Sequence, residues 1–397
     1  MSYRIITILK KIYLFLRKKT FSPILFFKST VTASKKQIKS ILFLRYDRIG
    51  DMVLSTAALK SLKRDYPAAK ITVLASERNF AILKHNPNVD EILIYQGIPW
   101  FIREIRHRGY DLVIDPFLTY ELRQAFMTCL SGGKYRIGFE EAGREIFFNI
   151  RGPTTSPPKQ MVDHLLDLTE RLGGRKEGYE PEVFLSDAEI QWANKTLAGK
   201  VISANELIIG IHPGAHYPSQ RWPAERFGEV ARRILEKWKA KVIFLGSSDE
   251  EGLLKAVKKS AGENIQIFSC SGMREFMALL SKCDLLVCNN SGPMHIASAL
   301  KVPTVSMMGP TVAPLWLPYG EHHVVINKAL SCSPCNRAIC KDHECMESIT
   351  VDEVFDAVKK QISHIKSTRI RKRTSKNKKE IIKASGSHEK AKKNHRC

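Results

Sequence analysis

Asp284-Leu-Leu-Val-Cys-Asn-Asn-Ser-Gly-Pro-Met-His295, continued by Ile-Ala-Ser-Ala-Leu300 and Pro303-Thr-Val-Ser-Met-Met-Gly-Pro-Thr311, organises the reading of this 397-residue chain. Leu285 to Cys288 is a short apolar run of buried-strand type, Asn-Ser-Gly is a turn, and Pro293 stands at the first position of a new helix, where its missing N–H costs nothing. Such a turn leaves unpaired N–H groups beside Ser291, Gly292 and His295. A phosphate there gains direct hydrogen bonds and about 0.3 to 2 kcal/mol from the helix dipole. The same layout also serves as plain strand-to-helix architecture with Asn and Ser as caps.

Outward from this turn, strands and helices alternate. The first series has strands at 39–46, 71–74, 91–95, 112–115 and 134–139, with helices at 51–63, 79–85, 100–108 and 161–172. A connecting helix at 187–197, capped by Ser186, leads through a linker to strands at 207–212, 241–246, 266–269, 285–288 and 304–307. Helices at 223–238, 249–259, 273–282 and 351–365 accompany them. This alternation predicts an α/β protein of two doubly wound parallel-sheet domains, 40–195 and 196–365, facing one another across a cleft. Ligands are expected at the carboxyl ends of both sheets.

The net charge of +23 suggests nucleic-acid binding until its distribution is examined. Residues 1–40 hold ten Lys or Arg and no acid, and residues 366–397 hold thirteen against Glu380 and Glu389, so the body between is nearly neutral. The arm at 1–39 is basic and amphipathic: Ile5, Ile8, Leu9, Ile12 and Leu16 share one helical face. Lys10 and Lys11 interrupt its apolar run, which disfavours a spanning helix or a signal peptide. The arm suits an anionic membrane surface, or else a solvated tail. The tail at 366–397 is polar and low in aromatics, with disorder as the expectation.

Cys129, Cys270, Cys283 and Cys288 read as reduced core thiols of a cytoplasmic chain. Cys332-x2-Cys335-x4-Cys340-x4-Cys345, with His343 among them, has spacing for a structural zinc site, or for a loop of reduced thiols or labile disulfides.

Neither a G-x-G-x-x-G fingerprint nor a Walker A sequence occurs, which disfavours a nicotinamide dehydrogenase and a P-loop ATPase. With no Asp-x-Asp pair, the usual metal clamp for a nucleotide diphosphate is missing. In the loop Ile211 to Pro223, Gly214 permits close backbone approach to a ligand and Arg221 offers a planar, permanently charged fork. Asp51, after Gly50 at a helix start, is expected to stay ionised there and to act either as a base for a substrate hydroxyl or as a helix cap. Asp47 is the nearest rival base.

Taken together, Arg45-Tyr-Asp-Arg-Ile-Gly-Asp-Met-Val-Leu-Ser55, Gly214-Ala215 with Arg221-Trp-Pro223, Asn290-Ser-Gly-Pro-Met-His295 and Gly309-Pro-Thr311 resemble glycosyltransferase family 9, the ADP-heptose:lipopolysaccharide heptosyltransferases. The resemblance covers about residues 40 to 360. It implies a GT-B fold and an inverting mechanism without a metal requirement. Asp51 is the implied general base, Ser291, Gly292 and His295 the implied contacts of the donor diphosphate. Gly214, Arg221, Asn290, Gly309 and Thr311 are expected on the donor side, Arg48 and Gly50 at the acceptor. Gln220 stands where the family often has Lys, and Asn290 where it often has Asp. The implied activity moves a heptose or related sugar from an ADP-heptose-type donor to a lipopolysaccharide core or similar glycolipid, at the inner face of the cytoplasmic membrane. Other readings are transfer from another nucleotide sugar, or a non-catalytic polyanion-binding protein.

Overall fold

In the computed structural model, residues 12–17, 19–20, 31, 35–175, 178–200, 202, 206–262 and 265–368 are described. Of the carboxyl-terminal tail, residues 366–368 are among them and continue a helix where disorder was expected; the rest of the tail, and most of the basic arm, lie outside them. Residues 12–17 form a helix, α1.

The body begins with β1 (Ser40–Leu44), a run of apolar residues buried on both faces, as a central parallel strand requires. α2 (Ile49–Asp65), β2 (Lys70–Ala75), β3 (Glu91–Ile94), α3 (Ile98–Ile105), β4 (Leu112–Asp115), α4 (Leu122–Leu130) and β5 (Tyr135–Gly138) follow. The strands pair in parallel in the order β3-β2-β1-β4-β5. α5 (Met161–Arg171) packs on α2. α6 (Asp187–Ala198) is stopped at its amino end by a capping box in which Ser186 and Glu189 each accept from the other's backbone N–H.

The second series comprises β6 (Leu207–His212), α7 (Ala224–Lys237), β7 (Ala240–Ser247), α8 (Glu251–Ala261), β8 (Gln266–Cys270), α9 (Met273–Leu280), β9 (Leu285–Asn289), α10 (Gly292–Ala299), β10 (Thr304–Met308), α11 (Ala313–Trp316), β11 (His323–Asn327) and α12 (Glu344–Glu347). Its parallel sheet runs β11-β10-β9-β6-β7-β8. A closing helix at 351–368, α13, buries Val354, Val358 and Ile362 in the second core.

The two halves share apolar surface. The cluster holding Ile41, Phe43, Val73 and Leu112 runs on into Ile243, Leu245, Met277 and Leu280. Arg274 of α9 fastens the seam: it pairs with Glu189 at 2.6 Å and donates to the carbonyls of Ala81 and Phe184. Its hydrogen bond holds the Glu189 carboxyl down at about 2.

Most expected elements are present. α4 and β11 were not anticipated, and the helix expected at 79–85 is a 3-10 turn, Phe80–Leu83. There the Asn79 side chain accepts from the Ser76 N–H and donates to the Arg45 carbonyl, a local network that competes with helix formation.

Candidate active site

Each sheet winds outward in both directions from one point, between β1 and β4 in the first half and between β6 and β9 in the second. A crevice opens at the carboxyl ends of the strands at such switch points. A single cleft of about 1140 Å³ lies there, lined by Tyr46, Arg48 and Asp51 of the first half and by Arg221, Glu250 and His295 of the second, among others.

On the first wall, β1 ends in a loop that buries Arg45 almost completely (1% exposed). Its guanidinium donates to the Pro116 carbonyl at 2.7 Å and to Asp47 Oδ2 at 3.1 Å, and stands 3.6 Å from Asp51 Oδ1. Asp51 is the third residue of α2, whose N-cap position is Arg48, so it is not the cap. Its exposure is 7%, and its carboxyl is pushed up to about 7 by burial first and then by Asp47, against the opposing pull of Arg45 and Arg48. This corrects the expectation that the helix start keeps Asp51 ionised; desolvation outweighs the dipole. Asp47 takes the shorter contact with Arg45, which leaves Asp51 the freer proton acceptor. Tyr46 stacks on Tyr95 at 4.6 Å, and both rings line the same wall.

On the second wall, β9 passes through Asn289 and Asn290 into α10. Ser291 is the N-cap but makes no side-chain cap bond, and Pro293 is the second helical residue, one later than expected. The start of α2 faces it: a Cβ on Gly50 would lie 2.8 Å from His295 Cδ2, and one on Gly292 would lie 3.2 Å from Ile49 Cγ2. Both glycines are needed for two helix starts to approach this closely. Burial, then His323, lowers His295 to about 4, so it is neutral at pH 7, and its Nδ1 is buried without a hydrogen-bond partner. The Asn290 amide donates to Thr311 Oγ1 at 2.6 Å, and both residues line the cleft. Arg221 is exposed to the cleft, its Nε on the Ala215 carbonyl at 3.0 Å, while Trp222 beside it is core. Arg48 crosses from the first half to Tyr217 Oη at 3.0 Å. Burial, together with Arg48, Arg78 and Arg221, holds His216 below its ordinary value, so cations from both halves converge on this end of the cleft.

Several expected site residues stand elsewhere. Gly214 is not among the residues lining the cleft: a Cβ there would fall 1.8 Å from Glu250 Oε1, so the glycine makes room for that carboxylate, which does line it. Gly309 packs against Met346 and Cys345, its carbonyl accepting from Ser333 Oγ. Among the described residues no group of three or more His, Cys, Asp or Glu is placed to hold a metal, so the arrangement does not favour zinc over the other two readings of Cys332, Cys335, Cys340 and Cys345. That loop is held by the backbone N–H groups of Cys335 and Asn336, which donate to the Pro310 carbonyl, and by the His343 side chain, whose Nε2 donates to the Ser219 carbonyl. Cys129, expected in the core, is exposed; Cys270, Cys283 and Cys288 are buried, and burial raises their thiols.

Besides the aromatic residues Tyr46, Tyr95, His216 and Tyr217, two more residues at the site were not anticipated. Glu250 accepts from the Ser247 N–H at 3.0 Å and pairs with His212 Nε2 at 3.3 Å. Burial works against its charge, but His212 and Ser247 hold it at about 2. A carboxylate kept ionised at the end of β7 suits a pair of sugar hydroxyls. The Ser247-x-x-Glu250 spacing was a signal available in the sequence, as a capping box. Asn289 fixes the facing loop by donating to the Pro213 carbonyl and accepting from the Trp222 N–H.

This architecture has known counterparts. The crystal structure of a glycosyl transferase family 9 protein from Veillonella parvula DSM 2008 superposes with a TM-score of 0.74 and 20% identity, over 85% of this chain and all of that one. The Escherichia coli ADP-heptose lps heptosyltransferase II superposes with a TM-score of 0.67 and 20% identity, over 82% of this chain and 99% of that one. The fold is thus GT-B. In sequence, the chain is 24% identical over 318 residues to lipooligosaccharide heptosyltransferase 2 of Campylobacter jejuni serotype O:2, covering 78% of this chain and 94% of that protein. It is 25% identical over 291 residues to lipopolysaccharide heptosyltransferase 3 of Escherichia coli K12, covering 69% and 83%. The family model for glycosyltransferase family 9 (heptosyltransferase) matches residues 99–345, and with it the two facing sheets and their shared cleft place the chain in that family, as a glycosyltransferase.

Proposed function

We propose that this enzyme transfers a heptose, with inversion, from an ADP-heptose-type donor to a sugar hydroxyl of a lipopolysaccharide core or similar glycolipid. The observation that carries this reading is the meeting of Asp51 and the uncapped start of α10 across one cleft. The acceptor oxygen attacks the anomeric carbon and gives its proton to Asp51. As that bond forms, the bond from the anomeric carbon to the diphosphate breaks, and the nucleoside diphosphate leaves with the electron pair. Its growing charge falls among Ser291, Gly292, neutral His295 and Arg221, where dipoles already in place need little reorganisation. Asn290 and Thr311 steady this side, and Glu250 takes the ribose hydroxyls. Arg48, Gly50 and the Tyr46–Tyr95 stack form the acceptor side.

On this reading residues 40–195 serve the acceptor and 196–365 the donor, and the enzyme works peripherally at the cytoplasmic face of the inner membrane. No helix among the described residues is long and apolar enough to cross a membrane. The test is a thermal-shift panel with ADP, UDP and GDP, followed by transfer from ADP-heptose. Stabilisation by ADP alone is the expected result. Equal stabilisation by all three, or by UDP alone, would move the donor assignment to another nucleotide sugar.

A further inference from the structure

α1 is turned inside out relative to an ordinary surface helix, which hides its apolar face. Here Ile12, Tyr13, Phe15 and Leu16 are 49%, 55%, 66% and 55% exposed, while Arg17 is only 9% exposed. The Arg17 guanidinium lies beside the Tyr13 ring, donates from Nε to the Ala142 carbonyl at 2.7 Å and from Nη2 to the Tyr120 carbonyl at 2.6 Å. A charged side chain thus fixes the helix to the first half, and the apolar side chains face outward.

Tyr120 belongs to the loop between β4 and α4, at the carboxyl end of the first sheet. Arginines hold that loop along its length: Arg45, beside Asp51, takes the Pro116 carbonyl; Arg144 takes those of Phe117 and Thr119; Arg17 takes that of Tyr120. The outward apolar face is therefore carried by the wall that holds Asp51.

We infer that α1 is a lipid-docking element, latched by Arg17, which seats the first wall of the cleft on an anionic bilayer. The partner follows from charge. Lys10 and Lys11 precede the exposed apolar residues, Lys18 and Lys19 follow them, and residues 1–40 contain no acid. Apolar side chains flanked by cations fit an interface of acyl chains beneath anionic headgroups. A second copy of the chain would bring two strongly basic arms together. Presentation of an embedded acceptor to Asp51 rests on the proposed glycolipid acceptor; binding to the bilayer does not.

The full-length protein is sedimented with phosphatidylcholine vesicles with and without phosphatidylglycerol. Wild type is expected to partition onto the phosphatidylglycerol vesicles and to be released by salt. The double variant Phe15→Ser/Leu16→Ser, which touches only exposed side chains, is expected to lose about tenfold or more of that partition. Arg17→Ala keeps the apolar residues and is expected to bind vesicles still, while its transfer to a vesicle-embedded acceptor falls and its transfer to a soluble acceptor fragment does not. Undiminished vesicle binding by the double variant overturns the docking role. A dimer abolished by the same substitutions, without vesicle binding, overturns it in favour of a second copy. Unchanged transfer by Arg17→Ala on vesicles overturns the latch. Wild-type protein that docks through α1 yet transfers no sugar upholds the inference and defeats the proposed reaction instead.

Discussion

The two walls of the cleft stand at the switch points of their sheets, one after the first strand of its half and the other after the fourth, and do opposite things. The loop after β1 buries a carboxyl beside Asp47 and raises it to about 7; the loop after β9 leaves an uncapped helix start and a neutral His295. One wall is suited to taking up a proton, the other to receiving negative charge. Two strand ends beside a switch point thus acquire contrary chemistry from the few side chains that follow them.

That contrast can be broken most severely at Asp51. Asp51→Asn removes the proton acceptor with almost no change of volume, and transfer should fall by about 10²- to 10⁴-fold, the usual worth of a general base. Nucleotide affinity measured by calorimetry should stay as in wild type; a variant that lost both would show that the walls are not separable. The opposite wall is probed with Glu250→Gln, which should weaken the donor by about 10-fold through the loss of hydrogen bonds to a charged group. Its acceptor KM should not move, and a rise in both would place Glu250 at the junction of the substrates.

The raised Asp51 carboxyl also sets a pH dependence. Because the base form is needed, kcat/KM should drop tenfold per pH unit below about 7, and the limb should vanish in Asp51→Asn. A profile flat from pH 5.5 to 8 would reject Asp51 as the group that titrates. Stability gives the smallest signal. A carboxyl raised on folding favours the folded state only while protonated, so the native protein loses stability as pH rises from the ordinary Asp range through about 7. Asp51→Asn should therefore melt several degrees higher than wild type at pH 8, and the gap should close towards pH 4.

How far the sequence went depends on what each residue needs in order to be read. The strand and helix pattern around Asn290 is a local property, and periodicity recovered both sheets except the edge strand β11. Asp51 was found because it follows a strand and opens a helix, but its charge state was misjudged, since burial and the approach of Asp47 and Arg45 arise only in three dimensions. Gly214 was expected to let a ligand approach its backbone and Gly309 to stand on the donor side; in the fold each makes room for a neighbouring side chain, Glu250 in one case and Met346 in the other. The spacing of four cysteines left zinc, reduced thiols and labile disulfides open, whereas the path of the loop is set by the carbonyls of Pro310 and Ser219, which lie in other segments of the chain.

The close approach of Gly50 and Gly292 bears on how finely the site is set. The two helix starts meet through their backbones, so the distance from the proton acceptor on α2 to the anion site on α10 is fixed by main-chain packing and not by side chains free to rotate. A bulky residue at either glycine would act as a wedge between the two starts and push the acceptor oxygen out of line with the anomeric carbon, where a misplacement of about 1 Å can cost about 10²-fold in rate.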